Sequence, residues 1–161
     1  MLDAYIYDGL RTPLGRHAGA LAPVRPDDLV AGVMKTLVAR SPWQPEQIED
    51  VLLGCVTQAG EDARNIARNA LLLADFPVSV SGQTVNRLCA SGLGAIVDAA
   101  RAITCGEGDL YLAGGVESMS RAPYVIGKAE SAYSRDTKMY DSTIGTRFPN
   151  PQMIAKYGND S

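Results

Sequence analysis

At 161 residues with a formal net charge of −3, the chain is long enough for one domain with a real core and has no basic belt for nucleic acid. Met1–Leu10 is broken by Asp3 and Asp8, so it reads as neither signal peptide nor anchor, and no apolar run is expected to approach membrane-spanning length. Three cysteines without regular spacing suit a reducing cytoplasm better than a disulfide scaffold, and no metal-ligand pattern is visible.

In chain order, Ala4-Tyr-Ile-Tyr7 reads as a first strand, and Arg11–Pro26 as a loop punctuated by Pro13, Gly15, Gly19, Pro23 and Pro26. Asp27 and Asp28 open a helix to Arg40, with Leu29, Val33 and Leu37 along one face. Ser41-Pro-Trp-Gln-Pro45 breaks it, and a strand is expected over Asp50–Thr57. A loop over Gln58–Asp62 precedes a helix from about Ala63 to Ala74. The next strand ends near Asn86–Leu88, a helix begins around Cys89 and stops at Gly106, and Asp109–Gly115 is a last apolar strand. Strands alternating with helices at this spacing indicate an α/β fold: a mostly parallel sheet with helices on both faces, and working groups at the carboxyl ends of the strands.

Beyond Val116 the character changes. Residues 117–161 carry a net charge of about +1, against −4 for residues 1–116, and show no sustained periodicity. The division expected is an α/β domain over 1–116, followed by a second, incomplete unit over 117–161.

Cys89 stands where a strand hands over to a helix, facing unpaired backbone N–H groups and the positive end of the helix dipole. That setting favours a thiolate, and marks Cys89 as the candidate nucleophile. Cys55 lies in the apolar run Val51–Val56 and reads as inert packing, and Cys105 closes the helix that Cys89 opens. Along this helix Leu93, Ile96, Val97, Ala100 and Ile103 form the large apolar face. Ala90, Ser91, Gly92, Gly94, Ala95 and Ala99 form an opposite face of small residues that calls for cover from elsewhere. His17, the single histidine, would complete a Cys–His pair with Cys89, but its Gly/Pro loop favours a surface or packing role. Arg64 and Arg68 read as a solvated or interface face, and Glu117 as structural. Gly114-Gly115 lacks a dinucleotide fingerprint, so no nucleotide site is assigned.

Asn86-Arg-Leu-Cys-Ala-Ser-Gly92 with its alanine-rich helix resembles the acyl-enzyme cysteine signature of the thiolases. Arg11-Thr-Pro-Leu-Gly-Arg16 and Ala113-Gly-Gly-Val-Glu-Ser-Met-Ser120 follow that family's order and spacing. Gly54–Arg68, Ser120–Ala129 and Thr143–Pro151 resemble its β-ketoadipyl-CoA branch. The resemblance implies a layered thiolase-like fold and an acyltransferase that cleaves a 3-oxoacyl-CoA, 3-oxoadipyl-CoA for this branch, through an acyl thioester on Cys89. It implies coenzyme A as co-substrate, no permanently bound cofactor or metal, and a homo-oligomer. It also implies that residues 117–161 begin the loop domain that binds CoA. The family's Gly-His-Pro histidine, Asn-Glu-Ala-Phe segment and second cysteine have no counterpart here. The chain thus corresponds to an N-terminal portion, with a C-terminal half as expected partner. Arg121, Lys128, Arg135 and Arg147 are the candidates to meet a substrate carboxylate. Two alternatives stay open: an inactive piece that serves only in interaction or assembly, and an acetoacetyl-CoA thiolase of general specificity.

Overall fold

The computed structural model describes residues 3–158. The outer ends of the two expected units, Met1–Leu2 and Asn159–Ser161, lie outside the described residues. The elements are α1 (Pro26–Ala39), β1 (Asp50–Gly54), α2 (Ile66–Leu73), β2 (Ser81–Val85), α3 (Ser91–Cys105), β3 (Tyr111–Gly115), β4 (Tyr124–Ile126), β5 (Met139–Asp141) and α4 (Pro151–Tyr157). β1 is the middle strand of a parallel sheet ordered β2-β1-β3, with Gly54 level with Val85 on one side and Gly115 on the other.

Strand alternation divides the core in two. Val51, Leu53 and Cys55 pack with Val30, Ala31 and Met34 of α1 and with Ile66, Ala67, Ala70 and Leu71 of α2. Leu52 points the other way, with Val85, Ala95 and Ala99, under α3. The sheet therefore carries helices on both faces, as the sequence implies. α1 starts on Pro26, a residue that suits the first helical position because it has no N–H to leave unpaired. Its buried stripe is Val30, Ala31 and Met34, not Leu29, Val33 and Leu37, which are half-buried. Leu29 and Val33 turn instead toward a groove beneath the Leu10–His17 loop.

α3 reverses the expectation for its two faces. The residues buried on the sheet are Ser91, Gly94, Ala95 and Ala99, while Leu93 is 65% and Ile96 38% exposed. The cause is backbone contact. A Cβ on Gly54 would lie 2.4 Å from the Gly92 nitrogen and from the Ser91 carbonyl carbon, and one on Gly115 would lie 3.0 Å from the Gly54 oxygen and 3.4 Å from the Gly92 Cα. Only a small-residue face reaches so close to the strands; the bulky face is left outside. The 18 residues Leu88–Cys105 also have a mean hydropathy of 1.4, long and apolar enough to cross a membrane, contrary to the expectation that no run is. Leu88, Leu93, Ile96, Val97 and Ile103 supply most of that apolarity, and none of them is among the residues buried on the sheet.

Ala4–Tyr7 is not a strand. Tyr5 is 89% exposed, and the segment runs past helix ends: Asp3 N–H donates to Thr104 Oγ1 at 3.1 Å, and the Asp8 carboxylate pairs with Arg40 at 2.6 Å. An apolar run of this kind makes a strand when a neighbour strand and a cover are present; β2 and β3 edge the sheet without it. Element ends differ from expectation by a few residues. β1 stops at Gly54: Cys55 N–H still donates to Val85 O at 3.1 Å, but the N–H groups of Val56 and Thr57 donate to Glu117. α2 starts after Asn65, whose side chain accepts Arg68 N–H at 3.3 Å and also accepts from the Thr84 hydroxyl at 2.8 Å.

The 117–158 segment, without periodicity in sequence, forms the antiparallel pair β4–β5 and the short helix α4. Ser142 N–H and Oγ both donate to Pro123 O, at 3.2 and 2.5 Å, and Tyr140 packs on Phe148 with ring centroids 4.8 Å apart. Arg121 ties this segment to the sheet domain: Nε and Nη2 donate to the two Glu61 oxygens at 2.5 Å each, and Nη1 to Ala22 O at 3.2 Å.

Two measurements test this packing. Gly54→Ala should destabilise toward the upper end of about 1–3 kcal/mol, because backbone must move to admit one methyl. Gly32→Ala, where a Cβ meets nothing within 4 Å on α1, should stabilise by roughly 0.5–1 kcal/mol; urea midpoints of the two variants should move in opposite directions. The Arg121 guanidinium holds Glu61 below its ordinary value of 4.5. Its contribution is therefore present above that pH and lost as pH falls toward the depressed folded value. The stability gap between the native chain and Glu61→Gln should stay constant above pH 4.5 and close below it, as read by urea midpoints taken down the pH scale.

Candidate functional site

Cys89 lies in a short connection between β2 and α3, at the carboxyl edge of the sheet, and its side chain is exposed. The helix begins two residues later than expected, at Ser91, so the thiol stands just ahead of the first turn. The residue before it, Leu88, has φ +50°, a left-handed conformation rare outside glycine. A nucleophile raised on a sharp strand-to-helix turn is approachable from solvent on the side away from the sheet.

Hydrogen bonds fix this turn on both sides. Ser91 Oγ donates to Leu88 O at 2.5 Å and accepts Arg87 N–H at 2.9 Å, and Ser91 N–H also donates to Leu88 O at 2.9 Å. Asn86 Oδ1 accepts Leu88 N–H at 3.0 Å, while Asn86 Nδ2 donates to Val56 O at 3.3 Å. Val56 N–H donates to Glu117 Oε2 at 2.7 Å, and Thr57 N–H to Glu117 Oε1 at 3.1 Å. Glu117 thus ties the loop after β1 to the end of β3, the structural role its position in sequence implies. Sequence alone marks Asn86 only as part of a motif and Ser91 only as part of that motif and of the small-residue face. An Asn two residues before a left-handed residue is an Asx-turn signal that would have found the first.

The other thiols are placed differently. Cys55 is buried; burial pushes its thiol up to about 12, with the Glu117 and Asp62 carboxylates adding to the effect. Cys105 is exposed at the opposite end of α3. Although the sequence shows no metal pattern, Cys55, Asp62 and Glu117 converge, their ligand atoms within 4.8 Å of one another. No spacing rule links residues so far apart. The carboxylates are already engaged: Asp62 Oδ1 accepts Ala59 and Gly60 N–H at 3.1 and 3.0 Å, and Cys55 Sγ lies 3.8 Å from Asp62 Oδ2. A protonated thiol among hydrogen-bonded carboxylates is a structural cap for the 55–62 loop.

His17 is not brought to Cys89. It lies on the wall of the groove of about 390 Å³ between the Leu10–His17 loop, α1 and Gly115–Ser120, a groove that Cys89 does not line. His17 lies within electrostatic reach of Asp141. Arg68 donates to the carbonyls of Val80 and Val78, pinning the loop before β2 rather than standing on a solvated face, whereas Arg64 is exposed. Of the cations considered for a substrate carboxylate, Arg121 is committed to Glu61 and Arg147 donates to Ser142 O, while Lys128 and Arg135 are exposed.

This geometry belongs to a recognisable group of proteins. The family model for the thiolase N-terminal domain matches residues 4–153. The 3-oxoadipyl-CoA/3-oxo-5,6-dehydrosuberyl-CoA thiolase of Escherichia coli K12 is 60% identical over all of this chain and 40% of its own length. The β-ketoadipyl-CoA thiolase of Pseudomonas putida is 59% identical over the same shares. A crystal structure of the Bacillus anthracis acetyl-CoA acetyltransferase superposes with a TM-score of 0.76 at 36% identity, over 83% of this chain and 34% of that one. The chain therefore spans about 40% of the length of the curated relatives it matches. By the extent of the family match and the fold that bears it, the chain belongs to the thiolase family.

Proposed function

We propose that this chain supplies the nucleophile-bearing part of a thiolase acyltransferase acting on 3-oxoadipyl-CoA in the cytoplasm, with Cys89 as the acyl carrier. The observation that carries the reading is the exposed Cys89 thiol, held on a strained turn at the carboxyl edge of a parallel sheet. The substrate follows from the names of relatives 56–60% identical over essentially the whole chain. The Cys89 thiolate attacks the C3 ketone carbon, the C2–C3 bond breaks, and the acetyl-CoA enolate leaves and takes up a proton. The succinyl thioester left on sulfur is attacked by the thiol of coenzyme A, which releases succinyl-CoA and restores Cys89. A thiolate suits both halves because it is a good nucleophile and a good leaving group. Cys89's own N–H, next to the start of α3, is a candidate to stabilise the oxyanion. The α/β unit to residue 116 carries the nucleophile, and 117–161 begins the CoA-binding loop domain. No permanently bound cofactor or metal is required, and the working form is a homo-oligomer that includes a C-terminal half.

The exposed Leu93 and Ile96 on α3 favour a second reading, in which the 161-residue chain by itself is an association piece without turnover. Incubation with succinyl-CoA separates the two. Thioester exchange needs only an accessible thiolate, so intact-mass analysis should show one succinyl group, mapping to Cys89 and lost in Cys89→Ala. Succinylation at Cys105 instead, or none at all, would remove Cys89 from its assigned role. Iodoacetamide near neutral pH should likewise modify Cys89 first and leave buried Cys55 protected.

Carbon–carbon cleavage asks for more. A base to deprotonate coenzyme A and an acid for the leaving enolate each contribute about 10²–10⁴-fold, and losing an oxyanion donor costs roughly 10²–10³-fold. The low ends combine to about 10⁶-fold. The 161-residue chain should therefore show no measurable thiolysis of acetoacetyl-CoA or 3-oxoadipyl-CoA until a C-terminal half is supplied. Turnover at ordinary enzyme rates by the chain alone would return His17 to consideration as the base.

A further inference from the structure

We propose that Asn86 is a positioning residue for Cys89, acting through the left-handed backbone of Leu88; this rests on the reading of Cys89 as the nucleophile. Leu88 has φ +50°, yet its side chain is 67% exposed, so packing does little to hold it in that conformation. What holds it is hydrogen bonding at each of its backbone polar groups. Its C=O accepts Ser91 Oγ at 2.5 Å and Ser91 N–H at 2.9 Å, and its N–H donates to Asn86 Oδ1 at 3.0 Å.

The two sides do different things. Ser91 belongs to α3, so its bonds fix the turn to the helix that follows. Asn86 fixes it to the sheet: Nδ2 donates to Val56 O at 3.3 Å, and the same peptide loop donates through Val56 N–H to Glu117 at 2.7 Å, just past the end of β3. One amide side chain thus joins the turn that bears the thiol to the exits of β1 and β3. Without it Leu88 N–H, in an exposed turn, is free to turn to water, and nothing on the strand side opposes relaxation of φ to negative values. That relaxation rotates the following residue and swings the Cys89 Cβ away from its present direction, while the sheet and α3 stay intact.

The test is a ratio within one molecule. Cys105, exposed at the far end of the same helix, is the internal standard for iodoacetamide, and buried Cys55 reports the fold. Asn86→Ala should lower the Cys89-to-Cys105 modification ratio by about 3- to 10-fold, the size expected for one lost hydrogen bond, with Cys55 still protected. In a Leu88→Gly background the same substitution should cost much less, since glycine adopts positive φ without help. An unchanged ratio in Asn86→Ala overturns the proposal. So does an equal loss in both backgrounds, or a loss accompanied by exposure of Cys55. Succinylation of the native chain is scored separately: if Cys89 takes no succinyl group while the alkylation pattern holds, Asn86 still positions the thiol, and it is the nucleophile reading that falls.

Discussion

The constraint on which the rest depends is backbone-to-backbone contact between the first turn of α3 and the carboxyl ends of β1 and β3. Gly54, Gly92 and Gly115 meet there at separations that leave no room for a Cβ on Gly54. Seating a helix this deeply determines which of its faces turns inward, because only Ser91, Gly94, Ala95 and Ala99 fit. It also sets the length of the connection from β2. The chain leaves Val85 and must be helical by Ser91, directly over the neighbouring strand. A reversal in so few residues forces one of them into the left-handed region, and that residue is Leu88.

Crowding at this edge leaves several backbone amides without strand or helix partners, and two carboxylates take them, that of Asp62 buried and that of Glu117 exposed. Glu117 serves Val56 and Thr57, and Asp62 serves Ala59 and Gly60. Burying polar backbone without such partners would be costly. The same carboxylates surround Cys55 and, with burial, push its thiol up to about 12. One device thus organises the loop after β1 and silences the thiol within it, while the thiol on the turn after β2 stays exposed.

The order of strands and helices, the glycine stop at Gly106 and the location of Cys89 were all legible in the sequence, because each is written in local signals. Periodicity marks α3, Gly106 takes φ +76° as its C-cap, and parallel topology follows from the alternation of elements. The orientation of α3 was not legible. A periodicity argument sends Leu93, Ile96 and Val97 inward by size, whereas the decision is made by glycines on strands distant in sequence. Ala4–Tyr7 misled for a related reason: its apolar run is compatible with a strand, but strand formation is a property of neighbours. The β4–β5 pair has three residues a side, too few for any period, and is held by bonds such as Ser142 to Pro123 that no local pattern announces. At the candidate site the place of Cys89 could be read, but its supports could not, since the tie to Glu117 spans some sixty residues of chain.

Exposure alone does not distinguish Cys89 from Cys105, since both thiols are open to solvent at the ends of one helix. The difference lies in what the backbone presents beside each. An acyl group attacked by sulfur develops negative charge on its carbonyl oxygen. Next to Cys89 the first turn of α3 offers N–H groups and the positive end of the dipole, whereas next to Cys105 the last turn offers carbonyl oxygens. The last turn is moreover closed on itself, with Gly106 N–H donating to Ile103 O and Glu107 N–H to Ala102 O. An oxyanion formed at Cys105 would face a negative helix end with its amides already used. The same charge at Cys89 would face a positive one, on a turn whose direction is fixed by hydrogen bonds at each polar group of Leu88. The polarity of α3 thus makes its Cys89 end the better place for such a charge, and the glycine contacts determine that this end lies at the carboxyl edge of the sheet.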